Sequence, residues 1–281
     1  MALCISRDLP YVGKLKRKGI DIVDHYDIAI ALVNLMPNKE ETEFQILRYI
    51  GKSKYSIKID YIYMASHKQK SPINNHLERY YETFSYEKYY DGVIVTGAPV
   101  EKMPFEKVDY WKEFTDIIDY CNDNIKSSLY ICWAAQGALY YLYNIKKLLK
   151  DKKIFGVYRH EIMANSFLFN GLSEEFYMAH SRYSYPSINF ENERDLSILD
   201  TSEVGPHVIC SKDYRNVFFL GHGEYEKDTL KKEYIRDKEK GIDGNIPKNY
   251  FWEDHIERGL KASWRKYGET LFLNWVNSLK N

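Results

Sequence analysis

Short apolar runs separated by amphipathic stretches recur along the first half of the chain. Ile28-Ala-Ile-Ala-Leu-Val33 is apolar at every position and stops at Asn34-Leu-Met-Pro37, the pattern of a strand buried on both faces. Residues 38–49 (NKEETEFQILRY) follow with acids in the first turn and Phe44, Leu47 and Ile50 on one side, which predicts a helix. Residues 55–64 alternate as a strand does, and 78–90 read as a helical or irregular link. Residues 91–96 (DGVIVT) form a second buried run, 111–122 an amphipathic helix, and 127–132 (SSLYIC) a third strand with a helix over 133–142 directly behind it. Further strands are expected at 196–199, 208–211 and 217–220, and helices at 226–240 and 267–279.

Strand and helix in this rhythm predict an α/β fold with a doubly wound, mostly parallel sheet flanked by helices. No internal repeat or low-complexity tract interrupts it. Residues 1–27, polar and basic in patches, read as an N-terminal arm ahead of a single α/β domain over 28–281. Reactive groups in such sheets gather at the carboxyl ends of the strands. Asn34–Pro37, Thr96–Glu101, Cys132 and His222 each sit just past a predicted strand.

The 281 residues are 44 % hydrophobic and carry 40 basic and 40 acidic side chains, so a sizeable core is available. The even charge argues against a protein that neutralises phosphate backbones, and no nucleic-acid partner is expected. The longest apolar run, Ile28 to Met36, is interrupted only by Asn34 and spans roughly half of what a bilayer crossing needs, so no membrane partner is expected either. Cys4, Cys121, Cys132 and Cys210 lie far apart with no CxxC pair, unlike a disulfide scaffold or a zinc site. A reducing compartment, the cytoplasm, is the expectation. There is no glycine-rich phosphate loop of standard spacing.

Two segments carry candidate chemistry. Leu-Tyr-Ile-Cys132-Trp-Ala-Ala-Gln-Gly-Ala places a cysteine between an apolar strand and a run of helix formers. That is the geometry of a nucleophile elbow, where a helix N-terminus favours a thiolate and backbone N–H groups face an oxyanion. The alternative for Cys132 is a buried core thiol. Val-Phe-Phe-Leu-Gly-His222-Gly-Glu224 is an apolar strand running into a His-x-Glu pair. If extended, the imidazole and carboxylate share a side and can serve as base and orienting acid; otherwise His222 caps a loop and Glu224 is solvated. His25, His67, His76 and His255 lie among polar residues and read as surface. His160 and His180 are candidates to line the cleft, while Cys121 and Cys210 read as core. The basic run Lys146 to Lys153 reads as a solvated turn, apart from Lys153.

The chain resembles the homoserine O-acyltransferases of methionine biosynthesis, relatives of the class I glutamine amidotransferases with their flavodoxin-like sheet. The likeness runs from about Asp8 to Asn277. It rests on Leu32-Val-Asn-Leu-Met-Pro37, Glu40-Glu-Thr-Glu-Phe-Gln45, Asp91 to Glu101, Val108 to Trp111 and Cys132-Trp-Ala-Ala-Gln136. It continues through Phe155 to Tyr158, His180-Ser-Arg182, His222-Gly-Glu-Tyr225, Glu233 to Asp237 and Ile246 to Phe251. It implies a class I glutamine amidotransferase-like fold and an acetyl transfer from acetyl-CoA to the hydroxyl of L-homoserine. Cys132 would carry the acyl group as a thioester, with His222 as base and Glu224 as the orienting acid. Lys153, Ser181 and Arg236 would bind the amino acid, and Glu101 would select acetyl over succinyl donors. Trp133 and either Leu35 or Gly97 would supply the oxyanion hole. Acetyl-CoA enters as co-substrate, with neither a metal nor another cofactor; the assembly, a homodimer included, is left open. His222-Gly-Glu stands where the family has His-Pro-Glu, and Met178-Ala precedes His-Ser where a proline is usual. L-Serine as acceptor, succinyl-CoA as donor and a glutamine-amidotransferase-type hydrolase are the alternative readings.

Overall fold

The computed structural model describes residues 1–67, 75–188, 195–242 and 245–280. From the N-terminus the elements are β1 (Ala2–Cys4), α1 (Val12–Lys16), β2 (Asp21–Ile22), β3 (Ile28–Val33), α2 (Lys39–Ile50), β4 (Ser56–Ile62), α3 (Asn75–Tyr80), β5 (Tyr81–Glu82), β6 (Gly92–Val95), α4 (Trp111–Asn124), β7 (Ser127–Ile131) and α5 (Trp133–Tyr143). The second half adds β8 (Lys147–Ile162), β9 (Glu175–Pro186), β10 (Leu196–Ile198), β11 (Asp200–Thr201), β12 (Val208–Ser211), β13 (Asn216–Phe219), α6 (Thr229–Glu239) and α7 (Arg265–Ser278).

The main sheet runs β10-β12-β13-β7-β6-β3-β4-β1-β2, with β5 also on β4. Pairs from β13 to β2 are parallel, whereas β10–β12 and β12–β13 are antiparallel. β3, β6 and β7 are buried at every position, as a parallel sheet covered on both faces requires. Alternate residues of one strand enter different cores. Ile30, Leu32, Ile94 and Leu129 pack with α2 and α7, while Ala29, Ala31, Val33, Val93 and Val95 pack with α4 and α5.

The helices form for local reasons. Asn38 caps α2 by accepting the Glu41 N–H, with Glu40 and Glu41 at the positive end of the helix. α4 buries Phe114, Ile117, Ile118 and Cys121, one face at helical spacing. α5 sits close to α4 because Gly137 has no side chain: a Cβ there would come within 3.0 Å of the Phe114 ring.

Two expectations are corrected. Residues 1–27 are part of the sheet rather than an arm: β1 pairs with β2 and β4, and Leu3, Leu9, Tyr11, Val12, Leu15, Ile20 and Ile22 are buried. Their apolar side chains are spaced too irregularly to show a period, yet all join the core shared with α2 and β4. The run Lys146 to Lys153 is not a turn but opens β8, which pairs antiparallel with β9 and β11 in a second, three-stranded sheet. Its first residues are solvent-exposed, which hid the strand among lysines.

Candidate active site

Cys132 ends β7 and caps α5 with φ 52° and ψ −106°, a backbone state that costs a residue with a side chain about 1–3 kcal/mol. The turn is pinned where Cys132 N–H donates to Phe219 O at 2.7 Å. Gly97, two residues past β6, leaves room for it: a Cβ at Gly97 would lie 3.3 Å from Cys132 Cβ. The sulfur therefore stands at the positive end of α5, beside the first N–H of that helix, Trp133.

His222 comes from the strand next door. Two residues beyond Leu220, its N–H donates to Ala179 O at 2.7 Å, and its ring hydrogen-bonds Cys132 on one side and Glu224 Oε1 on the other, Nδ1 to carboxylate 2.7 Å. Glu224 holds Nδ1, so Nε2 is the nitrogen that meets sulfur. Burial works against a charged imidazole here. The Glu224 carboxylate and Cys132, each hydrogen-bonded to the ring, outweigh it and hold the His222 pKa well above its ordinary value. All three side chains are buried.

Gly223, where the resemblance leads one to expect a proline, has a structural reason. A Cβ at Gly223 would stand 2.9 Å from Gly268 Cα, and one at Gly268 only 2.3 Å from Gly223 O. Two glycines thus let α7 press directly on the His-x-Glu segment. From the other side the buried Arg48 donates through Nη2 to Glu224 O (2.7 Å) and Tyr225 O (3.0 Å).

A cavity of about 650 Å³ opens onto Cys132 and His222 and is also lined by Gly97, Glu101, Lys153, Ser181, Tyr225, Glu233, Arg236 and Asp237. Lys153 Nζ sits between Glu233 Oε2 (3.1 Å) and Asp237 Oδ2 (2.9 Å). Burial opposes its charge, but these two carboxylates win and raise its pKa. Ser181 donates its hydroxyl to Glu233 Oε2. Arg236 spends Nε and Nη2 on Asp237 Oδ1 (2.9 and 2.8 Å), which leaves Nη1 and the outer edge of the guanidinium for another acceptor. Glu101 accepts the Tyr183 N–H at 3.1 Å. Burial raises its pKa, offset in part by that N–H and by the Lys153 and His222 charges.

The structure thus brings Cys132, His222, Glu101, Lys153, Ser181, Arg236 and Gly97 to one cavity, while Glu224 does not line it and is joined to it through the His222 ring. Leu35 is different. Its N–H already donates to Thr96 Oγ1 at 2.8 Å, and the residue does not line the cavity; neither does Trp133, which is buried. Glu233, Asp237 and Tyr225 were not singled out as site residues. The signal present was spacing: Glu233, Arg236 and Asp237 stand at i, i+3 and i+4 and share one face of α6.

His160 and His180 do not line the cavity. Both are fully buried in a chain that runs from Arg182 Nε to His180 Nδ1 (3.3 Å), from His180 Nε2 to His160 Nε2 (3.0 Å), and from His160 Nδ1 to Asp200 Oδ1 (2.7 Å). Asp200 takes the backbone N–H of His207 and Val208, and His207 Nδ1 takes that of Gly221, just ahead of His222. His76, expected at the surface, is buried with Nε2 2.9 Å from Glu43 Oε1, because Glu43, itself fully buried, draws it in. His25, His67 and His255 are exposed. Among the described residues no group of three or more His, Cys, Asp or Glu side chains is set to hold a metal ion, and no helix is long and apolar enough to cross a membrane.

Known proteins are similar to this chain at two distances, in fold and in sequence. Among solved structures, a glutamine amidotransferase from Thermotoga maritima superposes with TM-score 0.60 at 16 % identity, covering 92 % of this chain and all of that one. A glutamine amidotransferase from Methylobacillus flagellatus gives 0.58 at 12 %, covering 88 % and 94 %. These likenesses place the fold in the class I glutamine amidotransferase-like group. In sequence, proteins named homoserine O-acetyltransferase are similar over 99 % of this chain. Those of Streptococcus thermophilus, Clostridium acetobutylicum and Clostridium tetani are 40 %, 41 % and 42 % identical, with 92 %, 96 % and 95 % of their lengths covered. A family model described as homoserine O-succinyltransferase matches residues 2–280. The chain belongs to the homoserine O-succinyltransferase family.

Proposed function

We propose that the enzyme moves an acetyl group from acetyl-CoA to the hydroxyl of L-homoserine through a thioester on Cys132. The observation that carries this reading is one cavity lined by Cys132 and His222, the latter backed by Glu224, and by a charged array of Glu233, Arg236, Lys153 and Ser181. Relatives at 40–42 % identity bear the acetyltransferase name.

In the first half-reaction the sulfur of Cys132, its proton held by His222, attacks the thioester carbonyl. The tetrahedral oxyanion meets the N–H groups of Trp133 and Gly97, each such donor being worth about 3–4 kcal/mol. Coenzyme A leaves as the thiol, taking the proton from His222. In the second, His222 takes the homoserine hydroxyl proton and the oxygen attacks the acetyl carbonyl, and collapse releases O-acetylhomoserine and returns the proton to the Cys132–His222 pair. Glu224 holds the ring tautomer and balances the imidazolium formed in each step. Arg236 presents its free edge to the α-carboxylate, and Glu233 faces the ammonium.

Glu101 decides the donor. A carboxylate beside the acyl pocket repels the terminal carboxylate of a succinyl group and admits a methyl. Four free cysteines suit a reducing compartment, and we assign the enzyme to the cytoplasm. Steady-state release of coenzyme A with acetyl-CoA or succinyl-CoA as donor, against homoserine, serine and water, tests the reading. Acetyl-CoA with homoserine should give the highest kcat/KM. Faster release with serine, or ammonia from glutamine alone, would refute it.

A further inference from the structure

The His222 ring has a neighbour that the chemistry above does not use. Tyr225 lies buried on the same cavity wall, its ring nearly parallel to the imidazole with centroids 4.1 Å apart and planes at 17°. Its hydroxyl reaches the opposite end of the site and donates to Glu233 Oε1 at 2.8 Å. Glu233 Oε2 receives Ser181 and Lys153, so Tyr225 alone among these three holds the other oxygen. Arg48 grips the carbonyls of Glu224 and Tyr225 and so fixes the backbone from which the ring projects.

We propose that Tyr225 is a positioning residue that joins the two halves of the site: its face seats the His222 imidazole and its hydroxyl fixes Glu233 in the acceptor subsite. The acceptor part of this inference rests on the amino-acid reading given above. Burial, and behind it the charge of Glu233, keeps the phenol protonated, so the hydroxyl acts as a donor and the carboxylate stays an acceptor. An electron-rich ring face against the imidazole also favours its charged form in both half-reactions. The two contacts are chemically separable. Phenylalanine keeps the stacked face and loses only the hydroxyl, while leucine loses both.

The test is a comparison of Y225F, Y225L and wild type in two measurements. One is acetyl transfer from acetyl-CoA to Cys132 without acceptor, followed by stopped-flow release of coenzyme A; the other is steady-state turnover with homoserine. Y225F should acetylate itself at the wild-type rate and keep kcat within about twofold, while KM for homoserine rises about tenfold, the effect of losing one hydrogen bond to a charged group. Y225L should in addition slow self-acetylation by up to about tenfold, the upper range for an aromatic pair. A Y225F enzyme that acetylates itself slowly, or whose homoserine KM is unchanged, overturns the proposal. If wild type acetylates itself but does not turn over homoserine, the acceptor reading fails instead, and Y225L against Y225F in the first half-reaction still decides whether the stack matters.

Discussion

Replacing Glu101 gives the most quantitative handle on donor choice. Glu101 is half-buried on the wall of the cavity that holds Cys132, with Oε1 on the Tyr183 N–H. A succinyl group on Cys132 would bring a second carboxylate into that space. Two like charges about 6 Å apart at an effective dielectric near 20 repel by about 3 kcal/mol, a factor of about 100 in rate. Glu101→Gly removes both the charge and the bulk, so the ratio of succinyl-CoA to acetyl-CoA kcat/KM should rise about 100-fold. Glu101→Gln removes the same charge but keeps an amide oxygen for the Tyr183 N–H and most of the volume, so it should retain the electrostatic rise and lack only what the lost bulk adds. The pH dependence has a defined sign. Burial raises the Glu101 pKa, so its charge is lost at a higher pH than for an ordinary glutamate, and the wild-type preference for acetyl should weaken as pH falls. The assay is free-thiol release with each donor at fixed homoserine. A donor ratio unchanged in both variants would refute the electrostatic account of the pocket.

Other consequences follow from the same geometry. Glu224→Gln should lower the His222 pKa and reduce kcat by about a hundredfold or more, as loss of a ring-orienting carboxylate does; NMR titration of the imidazole and initial rates check both, and an unshifted titration would contradict the role. Gly268→Ala forces a methyl to 2.3 Å from Gly223 O, so it should cost about 1–3 kcal/mol and lower Tm by several degrees; a thermal melt matching wild type would show that α7 does not press on the catalytic segment. His180 and His207 are held neutral by burial, with pKa values well below the ordinary one. For these groups the unfolded chain binds more protons, so their contribution should be present above about pH 6.5 and fall away below it. His222, with its raised pKa, contributes in the opposite sense, its share lost as pH rises through the folded value. Urea midpoints from pH 5 to 8 in wild type and His207→Gln would separate the two, and an acid slope identical in both would exclude His207 as a source.

Much of this was legible because parallel strands and an elbow leave local signatures. β3 and β6 hold no polar side chain, β7 ends on Leu-Tyr-Ile, Cys132 follows β7 at once and His222 lies three residues past β13. The missed parts lack local signatures. β1 and β2 are three and two residues long; β1 takes its register from β4, and β2 takes its own from β1. β9 carries His180, Ser181, Arg182 and Ser184 in buried positions, where hydrogen bonds across the fold take the place of an apolar pattern. Glu233 works through Lys153 and Ser181, 80 and 52 residues away, a relation that spacing along the chain does not reveal. The bond from the Leu35 N–H to Thr96 Oγ1 likewise joins residues 61 apart, beyond what local spacing reveals.

The central claim is a covalent acetyl group on one sulfur, and mass spectrometry of the intact protein reads it directly. After brief mixing with acetyl-CoA and an acid quench, wild type should carry a single acetyl group, mapped to the peptide containing Cys132, absent in Cys132→Ala and discharged on adding homoserine. An unmodified Cys132 in an enzyme that nonetheless acetylates homoserine would contradict the account.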